Sequence, residues 1–154
     1  MPSSYPRVAV FILIVASLCA TKGWAHSTSR AVECLALAMY WEARGEGATG
    51  MRAVGSVVLN RVAHQDFPDS VCGVVFQGGE TAPCQFSWWC DGKSDRPRNT
   101  SQWRLCVYAA ENLLLHRPTD QTHGALYFHS ASVNPQWHRR QQRTARIGNH
   151  LFYR

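Results

Sequence analysis

Lysine is nearly absent from this sequence: Lys22 and Lys93 are the only two, so arginine carries the basic charge. The arginines are scattered, apart from Arg139, Arg140, Arg143 and Arg146, and build no basic stripe of the kind nucleic acid needs. No Cys-x-x-Cys, His-x-x-x-His or His-Glu-x-x-His spacing occurs, which leaves a zinc site without its usual ligand set. No Gly-x-Ser-x-Gly turn is present to expose a serine nucleophile. Internal repeats and low-complexity tracts are missing. No apolar run reaches the roughly 20 residues of a membrane-spanning helix. The expectation is a chain with no metal, no cofactor and no nucleic-acid partner.

What is present fits one exported domain. The 154 residues suffice for a single domain, and 45 % apolar residues allow a buried core. Residues 1–25 read as a cleaved signal. Arg7 gives the positive start, Val8 to Ala20 is apolar except for Ser17, and Gly23-Trp24-Ala25 offers a small-x-small cleavage site. Leu18 stands before Cys19, where lipidation would want a small residue. The expected mature domain is therefore 26–154, periplasmic or secreted, monomeric and without stable membrane insertion. Losing Arg7 and Lys22 lowers its formal charge from +6 to +4, which suits an anionic wall polymer or membrane surface. Losing Cys19 leaves Cys34, Cys72, Cys84, Cys90 and Cys106, which in an exported chain suggests two disulfides and one free thiol. Their pairing is open. Cys84 and Cys90 either close the short loop between them or each reach a helix.

Periodicity predicts a first helix over Arg30–Ala43, with Leu35, Ala38, Met39 and Glu42 on one face. Gly45 and Gly47 end it. A second helix runs from about Thr49 to His64, with Val54, Val57, Val58 and Val62 as its stripe. Asp66 and Asp69 read as helix-capping residues, and Ser70–Phe76 as one or two helical turns. Residues 77–100 read as a long irregular loop, a length that usually signals function. A further helix spans Ser101–His116 and stops before Pro118. Gly124–His129 and Arg146–Tyr153 read as two strands able to pair antiparallel. The fold class is α+β: one helix-rich domain with a small antiparallel sheet.

Glu42 is the informative residue. It falls where the first helix predicts a buried side chain, and burial raises a carboxyl pKa. A Glu still protonated near neutrality can donate to a glycosidic oxygen. The plainer alternative pairs Glu42 with Arg44 or Arg61. Glu46 either shares the same cleft, as a second catalytic carboxyl, or bonds backbone donors at the start of the second helix. Six Trp suit flat ligands such as sugar rings, although part of them must be core. Tyr40, Trp41 and Arg44 flank Glu42, and Gln85, Phe86, Ser87 and Trp88 add amide, hydroxyl and aromatic faces; together they form a candidate saccharide cleft. His129 either points into that cleft or is a hydrogen-bonded structural histidine.

The block Tyr40-Trp41-Glu42-Ala43-Arg44-Gly45-Glu46 resembles the Glu-Ala-Arg-Gly-Glu signature of the cell-wall hydrolases related to spore cortex-lytic enzymes. The resemblance continues through Val57–Val62, Phe67-Pro68, Ser70–Val75, Cys84–Trp88, Gly124–His129, Ile147–His150 and Phe152-Tyr153, and so covers residues 31–154. It implies a lysozyme-like or transglycosylase-like cleft and peptidoglycan as substrate. The family's catalytic Glu corresponds to Glu42, and its second Glu to Glu46. It further implies a lytic transglycosylase mechanism that needs one essential carboxyl. No wall-binding repeat precedes the signature, and the cysteine set and paired Trp88-Trp89 suggest an exported branch that remodels ordinary wall. Two other readings stay open: an amidase that frees the peptide from the sugar, and a non-catalytic wall-binding module.

Overall fold

The computed structural model describes residues 29–80 and 83–154. The expected signal segment, residues 1–25, lies outside them. Helix α1 covers residues 29–43. It is followed by α2 (Gly47–Val62), α3 (Val71–Val75), a 3-10 turn at Ser87–Cys90 and α4 (Thr100–His116). Strands β1 (Tyr127–Ser130), β2 (Arg143–Ile147) and β3 (His150–Tyr153) complete the chain, with a second 3-10 turn at Gln136–Arg140. The fold is helix-rich α+β, as the sequence implies. No helix among the described residues is long and apolar enough to cross a membrane.

The apolar stripe of α1 buries Leu35, Ala38 and Met39 as expected, and Ala36, Tyr40 and Ala43 are buried beside them. Helix α2 serves two cores. Val54 and Val58 join the main cluster with α1, α3 and α4, while Ala53 and Val57 meet Ala125 and Phe152 from the sheet side. Gly55 lies where α2 meets both neighbours: a Cβ there would strike the Met39 side chain and come within 2.6 Å of Leu113 Cδ1. A mid-helix glycine costs about 1 kcal/mol against alanine; here it lets three helices close together.

The helix ends follow local chemistry. Asn99 caps α4 by accepting from Gln102 N at 3.0 Å. Arg117 closes α4 in the left-handed region at φ 42°, just before Pro118. Ser70, not Asp69, caps α3, its hydroxyl accepting from Gly73 N at 3.2 Å. Asp66 caps no helix either; it folds back on His64.

The sheet has strand order β1-β3-β2, antiparallel throughout. The expected single strand over Arg146–Tyr153 is instead a hairpin, with Ile147 opposite His150 and Gly148-Asn149 as a two-residue turn. Gly148 supplies φ +56°, the positive value that a tight hairpin turn needs at its first position. Cys34–Cys72 ties α1 to α3, and Cys84–Cys90 closes the loop around Gln85–Trp89. Cys106 is the free thiol among the described residues. It is buried on α4 against the Met51 sulfur at 3.5 Å, and burial pushes its pKa up to about 11.

Candidate active site

Glu42 comes from the last turn of α1, and its side chain is only partly accessible. Burial raises its pKa from 4.5 to about 7; the Trp88 indole N–H opposes that rise weakly. The Trp88 Nε1 atom is itself buried and makes no well-formed hydrogen bond, so its contact with the carboxyl falls short of a full one. A donor of this kind favours the charged carboxylate over the neutral acid. Among the described residues no cation lies within ion-pair distance of Glu42. Arg44 and Arg61, the partners considered from sequence, are both engaged elsewhere.

Arg44 lies over the Tyr40 and Trp41 rings, 4.8 and 5.2 Å from their centroids. Trp41 and Trp88 stack at 6.4 Å with 24° between their planes. They line a cleft of about 630 Å³ together with Tyr40, Arg44 and the 91–99 segment. That segment is pinned from α1. Trp41 Nε1 donates to Asp95 O at 3.1 Å, and the buried Tyr40 hydroxyl accepts from Arg98 N at 3.2 Å and Asn99 N at 3.0 Å. Tyr40 is thus a wall and a latch rather than an open stacking face.

The other expected residues divide. Gln85 and Ser87 are exposed on the loop that carries Trp88, and neither lines the cleft itself. Phe86 is buried and stacks on Trp88 at 6.1 Å, so it shapes the loop from beneath. Glu46 does not bond the start of α2, where no side-chain cap forms. Its two oxygens accept from Asn149 N at 2.9 Å and Asn149 Nδ2 at 3.0 Å, and those bonds lower its pKa. His129 is not brought to the cleft. It lines a separate depression of about 420 Å³ with His138 and Tyr153, and its Nε2 bonds the Tyr153 hydroxyl at 3.0 Å. Arg139, Arg140, Arg143 and Arg146 are exposed, as a solvated face would be.

Arg61 was passed over in the sequence except as a possible partner of Glu42. It is 2 % exposed yet faces no carboxylate within ion-pair distance among the described residues. Nε donates to Leu126 O at 2.6 Å. With the Gln85 amide oxygen turned toward it, both Nη atoms donate there at 3.1 and 3.2 Å. The guanidinium lies near the Phe67, Phe86 and Tyr127 rings, 5.2 to 5.9 Å from their centroids. Burial lowers its pKa to about 10, so it stays charged at neutrality. The signal was available: Val54, Val57, Val58 and Arg61 repeat the spacing that singles out Glu42 on α1.

The cell wall hydrolase sequence profile matches residues 45–153. The chain belongs to the cell wall hydrolase family. Two relatives are both named spore cortex-lytic enzyme. That of Halalkalibacterium halodurans is 32 % identical over 79 % of this chain and 34 % of its own length. That of Bacillus subtilis is 34 % identical over 79 % of this chain and 36 % of its own. The chain therefore spans about a third of the length of those relatives. Two solved structures share its fold at 30 % identity. The SleB catalytic domain of Bacillus cereus superposes with a TM-score of 0.61 over 80 % of this chain and 89 % of that one. The catalytic domain of the germination-specific lytic transglycosylase SleB from Bacillus anthracis gives 0.62 over 80 % and 93 %. The matched profile begins three residues after Glu42, so the case for that residue rests on its geometry and on the signature block. Among the described residues no group of three or more His, Cys, Asp or Glu could hold a metal ion.

Proposed function

We propose that this protein cleaves the glycan strands of peptidoglycan as a lytic transglycosylase, with Glu42 as both acid and base. Glu42 donates its proton to the glycosidic oxygen as the C1–O bond of the muramic sugar breaks. The carboxylate left behind is favoured by the Trp88 N–H. It then takes a proton from the C6 hydroxyl of the same sugar while O6 bonds to C1, which closes a 1,6-anhydro ring. Water is not consumed, and Glu42 ends protonated. One carboxyl does both steps, whereas ordinary glycosidases need a second catalytic carboxyl about 5 to 9 Å away. Glu46, with both oxygens taken by Asn149, supports the hairpin rather than the reaction. Trp41, Trp88, Gln85, Ser87 and Arg44 bind the strand. Residues 1–25 direct export, and 26–154 meet the wall in the periplasm or outside the cell.

The observation that carries this reading is a carboxyl with a pKa near 7, without an ion-pair partner, against the Trp88 indole, which itself stacks on Trp41 at the cleft. The test is digestion of purified peptidoglycan with product masses. Anhydro-muramic ends are expected. Reducing ends would mean hydrolysis by water, and freed peptides an amidase. Glu42→Gln should lower turnover about 10³-fold; a variant within a few-fold of the parent would remove Glu42 from the mechanism.

A further inference from the structure

We propose that the cleft between Trp41 and the 91–99 segment is a subsite for the peptide branch of the wall polymer, with Arg44 and Arg98 receiving its carboxylates. The inference rests on the reading above and adds what the cleft recognises besides sugar. A bare glycan of this type is uncharged wherever its lactyl groups carry peptide, so the negative charge of a peptide-bearing strand lies on its branches. The cleft carries one more cation than anion, Arg44, Lys93 and Arg98 against Asp91 and Asp95. Arg44 and Arg98 both line it, and among the described residues neither lies within ion-pair distance of a carboxylate. Lys93, the third cation, is already paired with Asp91 at 3.4 Å.

The two arginines differ in how they are held, and both arrangements suit a waiting ligand. The Arg44 guanidinium rests on aromatic faces and also donates toward the Tyr40 hydroxyl, which fixes its plane and leaves its remaining N–H groups for a carboxylate. The Arg98 side chain is exposed, but its backbone N–H is locked by the buried Tyr40 hydroxyl, and its neighbour Asn99 caps α4. The arginine therefore projects from a fixed point on the rim. Asp95, on the same wall, has its carbonyl held by Trp41 and its carboxyl partly covered. It offers an acceptor for a branch N–H or ammonium. A volume of about 630 Å³ lies within the range for a ligand of a few residues or rings.

The experiment uses the Glu42→Gln protein, which should bind without turning over, and glycan strands of one length in two forms. One form keeps its peptide branches; the other has had them removed by an amidase and the lactyl carboxylates freed by that hydrolysis converted to neutral amides. Binding is followed by indole fluorescence, since Trp41 and Trp88 form the wall. Peptide-bearing strands should bind about tenfold more tightly, the worth of roughly 1.4 kcal/mol, and added salt should shrink the gap. Arg44→Gln with Arg98→Gln in the same background should bring the two forms within about twofold. Unfolding midpoints confirm that these variants remain folded. Free branch peptide should compete with wild-type digestion of branched strands. Equal binding of the two forms, no binding of either, or a preference that survives both substitutions overturns the subsite. Product masses from the wild-type digest judge the glycan-cleavage reading separately, because binding preference and bond cleavage are read on different samples.

Discussion

The Glu42 carboxyl titrates near pH 7 because burial withholds water from its charged form. The folded state then binds this proton more tightly than the unfolded chain, where a Glu titrates near 4.5. Its contribution to stability is complete below about pH 4.5 and is lost as pH rises through 7. Glu42→Gln removes that dependence. The variant should match the parent at pH 4 and exceed it at pH 8 by up to about 3 kcal/mol, measured as denaturant midpoints at both values. Parent activity should fall as pH rises through 7, because the acid form is the one that starts the reaction. Arg61 poses the complementary case, a buried cation held by oxygens and rings. Arg61→Met keeps the bulk but strips Leu126 O and the Gln85 amide of their donors, a loss of about 1–3 kcal/mol. Amide hydrogen exchange across Gln85–Trp88 should quicken in that variant, and turnover should fall more than binding.

Among the elements, the β2–β3 hairpin depends most on a distant contact. Its turn is fastened by Glu46, 103 residues away in sequence. A side chain at Gly148 would collide with the Glu46 carboxylate and would sit at φ +56°. Gly148→Ala should therefore destabilise the protein by about 1–3 kcal/mol. Glu46→Ala and Asn149→Ala should be non-additive in a double-mutant cycle of unfolding free energies. The lowered pKa of Glu46 places its stabilising effect above about pH 4.5, fading as pH falls through its folded value. This is also where sequence reading ran out. The stripes of α1, α2 and α4 were legible because burial repeats at helical spacing. The hairpin was hidden because Ile147 at one end and Leu151 to Tyr153 at the other read as parts of one strand, although Gly148-Asn149 between them is a recognised turn signal. The start of β2 was hidden because Arg143 to Arg146 has Ala145 as its one apolar residue and both its arginines are exposed. The partial burial of Glu42 was legible because the residue continues the apolar spacing of its own helix. The partner of Glu46 and the latch made by Tyr40 depend on contacts between segments far apart, which no local pattern encodes.

For the molecule as a whole, the two disulfides play different parts. Cys34–Cys72 spans 38 residues and joins two helices of the core. Its loss should cost about 3–4 kcal/mol by chain entropy, with specific activity of the folded fraction preserved. Cys84–Cys90 spans only 6 residues and cross-links little chain, about 2 kcal/mol on the same argument. It encloses Gln85 to Trp89, so Cys84→Ser with Cys90→Ser should impair turnover out of proportion to the change in melting temperature. Measuring both quantities on the two double variants separates scaffold from site.

The sealed thiol of Cys106 has a bearing on manufacture rather than on catalysis. Once α4 has docked on Met51, the sulfur is out of reach of oxidants; before that, it can form mispaired bridges with any of the other four described cysteines. The hazard belongs to the minutes of oxidative refolding, and its signature would be lost yield with no change in the purified product. Cys106→Ala should raise the recovery of correctly bridged protein while leaving its specific activity where it was.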